Sequence, residues 1–282
     1  MSSKIIVYYR LSDRGFCKVK PDYICNKNCF NNFLKNFKYD KLYVVADNVT
    51  DETYDILKTR YTDKITEIFR TSVANRKSFI FAYDHAVKNN NPEDVIYFVE
   101  NDYVHCSGSA QILMEGIGIA DYVTLYDHPD KYMKEYRDLW PTKCYATDNS
   151  HWVFVPSTPM TFAAKVKTLI DDADMFDAII RNNNDTHTNS KAYFTVVLKR
   201  GKTLVSPIPS LATHGETEWL APFIDWAKVI VLFFTLTFVG SRITSYLLHR
   251  TVQPQFYRLQ IVQSQGHDTN EYAPLYCTQK IS

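Results

Sequence analysis

Val95-Ile-Tyr-Phe-Val99 is a run of β-branched and aromatic residues, too short for a helix of its own and apolar on both sides. A run of that kind belongs at the centre of a sheet covered on both faces, which commits the chain to an α/β layer architecture. It stops abruptly at Glu100-Asn101-Asp102, two carboxylates one residue apart. The carboxyl ends of strands in an open α/β sheet face the ligand crevice. Two acids there suit a hard divalent cation that in turn grips a diphosphate; an acidic turn capping the next helix is the plainer reading.

Similar punctuation recurs along the chain. Lys4–Tyr9, Lys41–Ala46, Ile65–Phe69, Asp121–Tyr126, His151–Val155 and Leu204–Pro209 read as further strands. Between them, Phe30, Phe33, Leu34 and Phe37 fall on one helical stripe. Helices are also expected from Asp51 to Leu57 with Asp51 as the cap, from Ser72 to about Lys88, and from Ser109 to Gly116. Two more are expected from Met160 to Leu169 and from about Asn189 to Arg200, the latter closed by Gly201. Strands alternating with helices in this way predict a doubly wound, mostly parallel sheet flanked by helices. No Gly-x-Gly-x-x-Gly follows the first strand and no Gly-x-x-x-x-Gly-Lys occurs, which disfavours a dinucleotide-binding Rossmann enzyme and a P-loop ATPase.

With 282 residues, the chain accommodates one large domain and an appendage. A net charge of +1 excludes a broad nucleic-acid surface. The six cysteines, at 17, 25, 29, 106, 144 and 277, lack zinc-ligand spacing and fit reduced thiols in a cytoplasmic protein without a secretory signal.

Beyond Trp226 the composition changes. Val229–Ser241 is 13 residues without a charge, and the apolar segment extends to Leu248 if Arg242 snorkels. A buried helix, an interfacial anchor and a marginal spanning helix are all consistent with that length, and membrane association through 229–248 is the favoured expectation. The expected division is a catalytic domain over 1–226, a hydrophobic helix over 227–248 and a polar tail over 249–282.

Arg10, Asp47 and Glu100-Asn101-Asp102, at successive strand ends, resemble the nucleotide-binding half of the GT-A glycosyltransferases. Downstream, Asp185 opening a helix, the Gly201-Lys202 pair, a Pro-bearing strand and the lone His214 follow the same order, so the resemblance spans about residues 4–226. Tyr122–Tyr132, Ser157–Phe162 and Leu220–Trp226 look like motifs of a GT-A-like microbial and viral group. The family's usual Asp-x-Asp is here Glu-Asn-Asp, and its usual Glu-Asp before the base helix is here Asn184-Asp185.

The resemblance implies a metal-dependent transferase moving sugar from a nucleotide-sugar donor, a UDP-sugar favoured, to a saccharide or lipid-linked acceptor. Asp102 and His214 would hold Mn2+ or Mg2+, with Glu100 acting through water or on the ribose. Asp47 would meet the nucleotide base, or else cap its own turn. Arg10 and Arg76 would pair with the diphosphate, or else remain surface charges. Tyr8 or Tyr9 would flank the base, and Trp152 and Trp219 would stack on sugar or belong to the core. The catalytic base would be Asp185, with Asp127, Asp130, Asp171 and Asp172 as rivals and His187 as a neighbour. The alternatives are a nucleotidyltransferase making nucleotide-sugars and a non-catalytic carbohydrate-binding relative.

Overall fold

A computed structural model describes residues 3–14, 18–133, 144–182 and 190–230. The first strands are β1 (Ile5–Leu11), β2 (Lys41–Asp47), β3 (Glu67–Thr71) and β4 (Val95–Glu100), all joined in parallel in the order β3-β2-β1-β4. Each crossover between them carries one helix: α1 (Asn26–Asn36), α2 (Asp51–Arg60) and α3 (Ala74–Asn89). The remaining chain adds β5 (Tyr103–His105), α4 (Ser109–Ile117), β6 (Tyr122–Val123), β7 (Cys144–Ala146) and β8 (His151–Phe154). Then come β9 (Phe162–Lys165), α5 (Val166–Asp171), α6 (Ala173–Phe176), α7 (Ser190–Lys199), β10 (Leu204–Ile208) and β11 (Ala212–His214). The large sheet continues past β4 as β9-β6-β10-β8-β7, where antiparallel pairings enter.

The period-2 geometry of the strands divides their side chains between two cores. Val7, Tyr9, Val95, Tyr97 and Val99 pack on one face with Phe30, Phe33 and Phe37 of the α1 region. Ile6, Tyr8, Ile96 and Phe98 pack on the other with Phe79, Ala82 and Tyr83 of α3. Tyr8 and Tyr9 are both fully buried, so neither ring is presented to a ligand.

Two local expectations change. Met160–Leu169 is not one helix: Phe162–Lys165 form β9 and only Val166–Asp171 are helical. β9 fills the slot between β4 and β6, with Ala163 and Ala164 fully buried. The cap of α2 is Thr50, whose hydroxyl accepts the Thr53 amide at 3.1 Å; Asp51 lies in the first turn and pairs with Arg70 instead. Gly201 ends α7 with φ +88°, as a left-handed cap requires.

A second, two-stranded sheet matters most for function. β5 leaves the Glu100-Asn101-Asp102 turn and pairs antiparallel with β11, setting His214 opposite Tyr103. That pairing delivers the imidazole beside Asp102. No helix among the described residues is long and apolar enough to cross a membrane. The hydrophobic stretch to Leu248 lies, from 231 onward, outside the described residues.

Candidate active site

The parallel register sets Arg10 directly opposite Glu100 on the neighbouring strand, at the carboxyl edge of the sheet. A cleft of about 870 Å³ opens there. Arg10, Asp47, Glu100, Asp102 and His214, all expected as site residues, line it. Arg76 does not: its Nη1 donates to the carbonyls of Ile180 and Arg181, each at 3.2 Å.

Arg10 is 5% exposed and held from several sides. Its Nη2 donates to Glu100 Oε1 at 2.9 Å, its Nη1 to Asn75 Oδ1 at 2.7 Å, and its guanidinium sits 5.2 Å over the Phe79 ring. The Glu100 backbone amide donates to Thr161 Oγ1 at 3.1 Å, so the carboxylate is fixed at its base as well. Asn101 also lines the cleft and donates to the Ser12 carbonyl at 3.3 Å and to Asn26. All three residues of the acidic turn thus line the cleft, the middle one also anchoring the loop.

Asp47 accepts from the Val73 amide at 2.7 Å, Thr71 Oγ1 at 2.9 Å and Asn48 Nδ2 at 2.9 Å. Its carboxylate therefore ties the end of β2 to the entry of α3. Asn48 and Ala74, both beside it on the cleft wall, adopt φ of 53° and 68°. Left-handed backbone at non-glycine residues costs energy and persists where surrounding contacts enforce it, commonly around ligand sites.

At the other end of the cleft, Asp102 Oδ2 meets His214 Nε2 at 3.3 Å and Lys20 Nζ at 2.8 Å. Burial alone would raise the Asp102 pKa, but His214 and Lys20 outweigh it and hold the carboxyl well below its usual range. His214 Nδ1 lies 3.2 Å from Glu216 Oε1. Burial works to lower the imidazole pKa, and Asp102, Glu100 and Glu216 overcome it, leaving the value raised.

Among the described residues no group of three His, Cys, Asp or Glu side chains could enclose a metal ion. A closed cage is not what a diphosphate-bridging ion needs: Mg2+ and its like take one or two protein carboxylates plus substrate phosphates and water. An ionised carboxylate with an imidazole beside it, open to a cleft, fits that partial coordination.

The other expected residues separate. Trp152 is fully buried, donating to Thr147 Oγ1 at 2.9 Å, whereas Trp219 lines the cleft with its ring 5.1 Å from that of His128. Asp127 is buried, paired with Lys131 Nζ and accepting from the Tyr132 hydroxyl, each at 2.5 Å. Asp172 is also buried, accepting from Tyr122 at 2.7 Å, and Asp171 lies 3.7 Å from Lys202. Asp130 lines a small cavity of about 150 Å³ that shares His128, Pro159 and Ser190 with the main cleft. Asp185 and His187 lie outside the described residues.

Sequence reading missed Lys18, Lys20, Asn75 and Glu216. The alternation Lys18-Val19-Lys20 and the proximity of Glu216 to His214 were the only signals for three of them.

The doubly wound sheet flanked by helices has a GT-A-like fold. Among solved structures the chain is similar to GalNAc-T7, crystallised with UDP, GalNAc and Mn2+, at TM-score 0.51 and 10% identity over 77% of this chain and 45% of that one. It is also similar to the apo-form glycosyltransferase GlyE of Streptococcus pneumoniae TIGR4, at TM-score 0.44 and 9% identity over 83% and 64% of the two chains. A third is the nucleoside-diphosphate-sugar pyrophosphorylase of Vibrio cholerae RC9, at TM-score 0.46 and 12% identity over 76% and 96%. The chain spans less than two thirds of GalNAc-T7 and of GlyE. At such identities the likeness is one of fold. No protein-family model matches the chain, and no curated protein does.

Proposed function

We propose that this chain is a metal-dependent glycosyltransferase that moves a sugar from a nucleotide-diphosphosugar, a UDP-sugar favoured, to a saccharide or lipid-linked acceptor. The observation that carries the reading is the convergence of Arg10, Asp47, Glu100, Asp102 and His214 on one cleft at the carboxyl edge of the sheet. Asp102 and His214 would hold Mn2+ or Mg2+, and the bound ion would offset the charge that builds on the departing nucleoside diphosphate. The protein's own part is orientation. Arg10 and Thr161 hold Glu100 in place for a water or ribose contact, and the Asp47 turn shapes the end of the cleft that receives the base. Trp219 offers an apolar wall to a sugar face. Removal of the acceptor proton is assigned to Asp185, and Asp130, on the adjoining small cavity, is its rival.

The test is nucleoside diphosphate release from UDP- and GDP-sugars, with Mn2+ or with EDTA, together with sugar transfer to added glycans. Release that depends on the metal supports the reading. Pyrophosphate release from a nucleoside triphosphate and a sugar phosphate, with no turnover of nucleotide-sugars, would replace it with a nucleotidyltransferase.

A further inference from the structure

Of the two arginines expected to clamp the diphosphate, Arg10 lines the cleft and Arg76 does not. Arg10 is committed to Glu100 and Asn75, and Arg76 to two carbonyls outside the cleft. Two other cations reach the cleft from the segment Lys18-Val19-Lys20. Val19 is 81% exposed, while the lysines on either side of it line the cleft. The segment is pinned by the Thr217 amide, which donates to the Val19 carbonyl at 3.0 Å.

The lysines occupy specific places. Lys20 Nζ stands 2.8 Å from Asp102 Oδ2, the oxygen that His214 Nε2 also approaches. Lys18 Nζ pairs with Glu216 Oε1, the oxygen beside His214 Nδ1. An ammonium 2.8 Å from that oxygen competes with a divalent ion for it, because like charges brought to one carboxylate edge repel each other. Lysine is suited to leave: its charge rides on a flexible four-carbon stem, and this one is 27% exposed at the side chain.

We propose that Lys20 is a tethered counter-cation, holding Asp102 in the ligand-free protein and turning to the nucleotide's diphosphate when a divalent ion takes Asp102. This inference rests on the proposed glycosyltransferase reading for the identity of the two ligands. It adds a consequence: the ion releases a cation that the diphosphate needs, and the diphosphate draws away the cation that obstructs the ion. Each ligand therefore raises the affinity for the other by the same factor.

Lys20→Gln separates this role from a structural one, because it moves two affinities in opposite directions. Mn2+ alone is titrated by loss of the free-ion EPR signal, and UDP or GDP alone, in EDTA, by calorimetry. The variant should bind Mn2+ about tenfold tighter, having lost the competitor, and nucleotide about tenfold more weakly, having lost a charged donor. The mutual enhancement of the two ligands should shrink accordingly, while Lys20→Arg should keep nucleotide affinity near wild type. Thermal unfolding verifies that each variant is folded. Weakening of both ligands, or a change in neither, would overturn the role of Lys20. Wild-type protein that takes up neither Mn2+ nor nucleotide would overturn the glycosyltransferase reading with it.

Discussion

Arg10 and Glu100 face each other across the β1–β4 ladder, with Nη2 and Oε1 2.9 Å apart. The pair lies where the sheet meets the cleft, the arginine buried and the glutamate 21% exposed at its side chain. Removing one member strands the other in a poorly solvated place, and its cost exceeds that of a surface ion pair. Arg10→Met should destabilise the fold by about 2–3 kcal/mol, below the full range for buried pairs because water still reaches Glu100. Glu100→Gln, which keeps an oxygen for Arg10, should cost about 1 kcal/mol. Urea unfolding checks both; equal losses would mean that the pair is not what Arg10 contributes.

Gly215 links His214 to Glu216, and it packs where no side chain fits. A Cβ there would lie 2.6 Å from the Asp102 carbonyl oxygen and 2.6 Å from Ile24 Cγ2. Gly215→Ala should push β11 from β5, destabilise by about 1–3 kcal/mol and weaken Mn2+ binding together. Gly108→Ala supplies the contrast: φ is +80° but nothing lies within 4 Å of the added carbon. It should cost about 1 kcal/mol and leave Mn2+ affinity unchanged. Mn2+ titration of both variants distinguishes them.

His105 predicts how the protein meets acid. It is fully buried against Phe33 and Phe37, with Nε2 2.8 Å from the Tyr97 hydroxyl, and burial pushes its pKa down to about 3. In the unfolded chain it takes a proton near 6.5. The unfolded state therefore binds more protons between those values, so the His105 contribution falls as pH drops through that window and is constant above it. The slope should reach about 1.4 kcal/mol per pH unit. His85, lowered by burial as well, adds in the same direction. His105→Leu should flatten the loss between pH 6 and 4.5 whatever its effect on absolute stability. An unchanged slope in urea melts across that range would remove His105 as its source.

The parts of this molecule that were legible in the sequence are those where one physical cause dominates. The apolar runs of β1, β2 and β4 could only be covered strands, and the polar residues ending them had to meet at one sheet edge. β9 was hidden because Ala163 and Ala164 favour a helix in isolation; the slot between β4 and β6 overrides that preference. Lys20 was hidden for a different reason. Its partner Asp102 lies 82 residues further on, so nothing in the local pattern of the basic segment reveals the pairing. Arg76 misled in the opposite sense, since its place at the start of α3 suggested the cleft, while its contacts with Ile180 and Arg181 draw it elsewhere.

Asp102 is the residue on which the proposed metal-dependent donor site turns. Asp102→Asn keeps the shape of the carboxyl but removes the charge that Lys20 and His214 face, so it should destabilise the fold by about 2–3 kcal/mol, and its unfolding transition verifies that it is folded before rates are compared. The most direct measurement is nucleoside diphosphate release from UDP- and GDP-sugars by both proteins, with Mn2+ and with EDTA. Wild-type protein should turn over in Mn2+ only, and the folded variant at least a hundredfold less, on the order of 3 kcal/mol of lost transition-state stabilisation. Wild-type rates from Asp102→Asn, or turnover indifferent to EDTA, would contradict that role of Asp102.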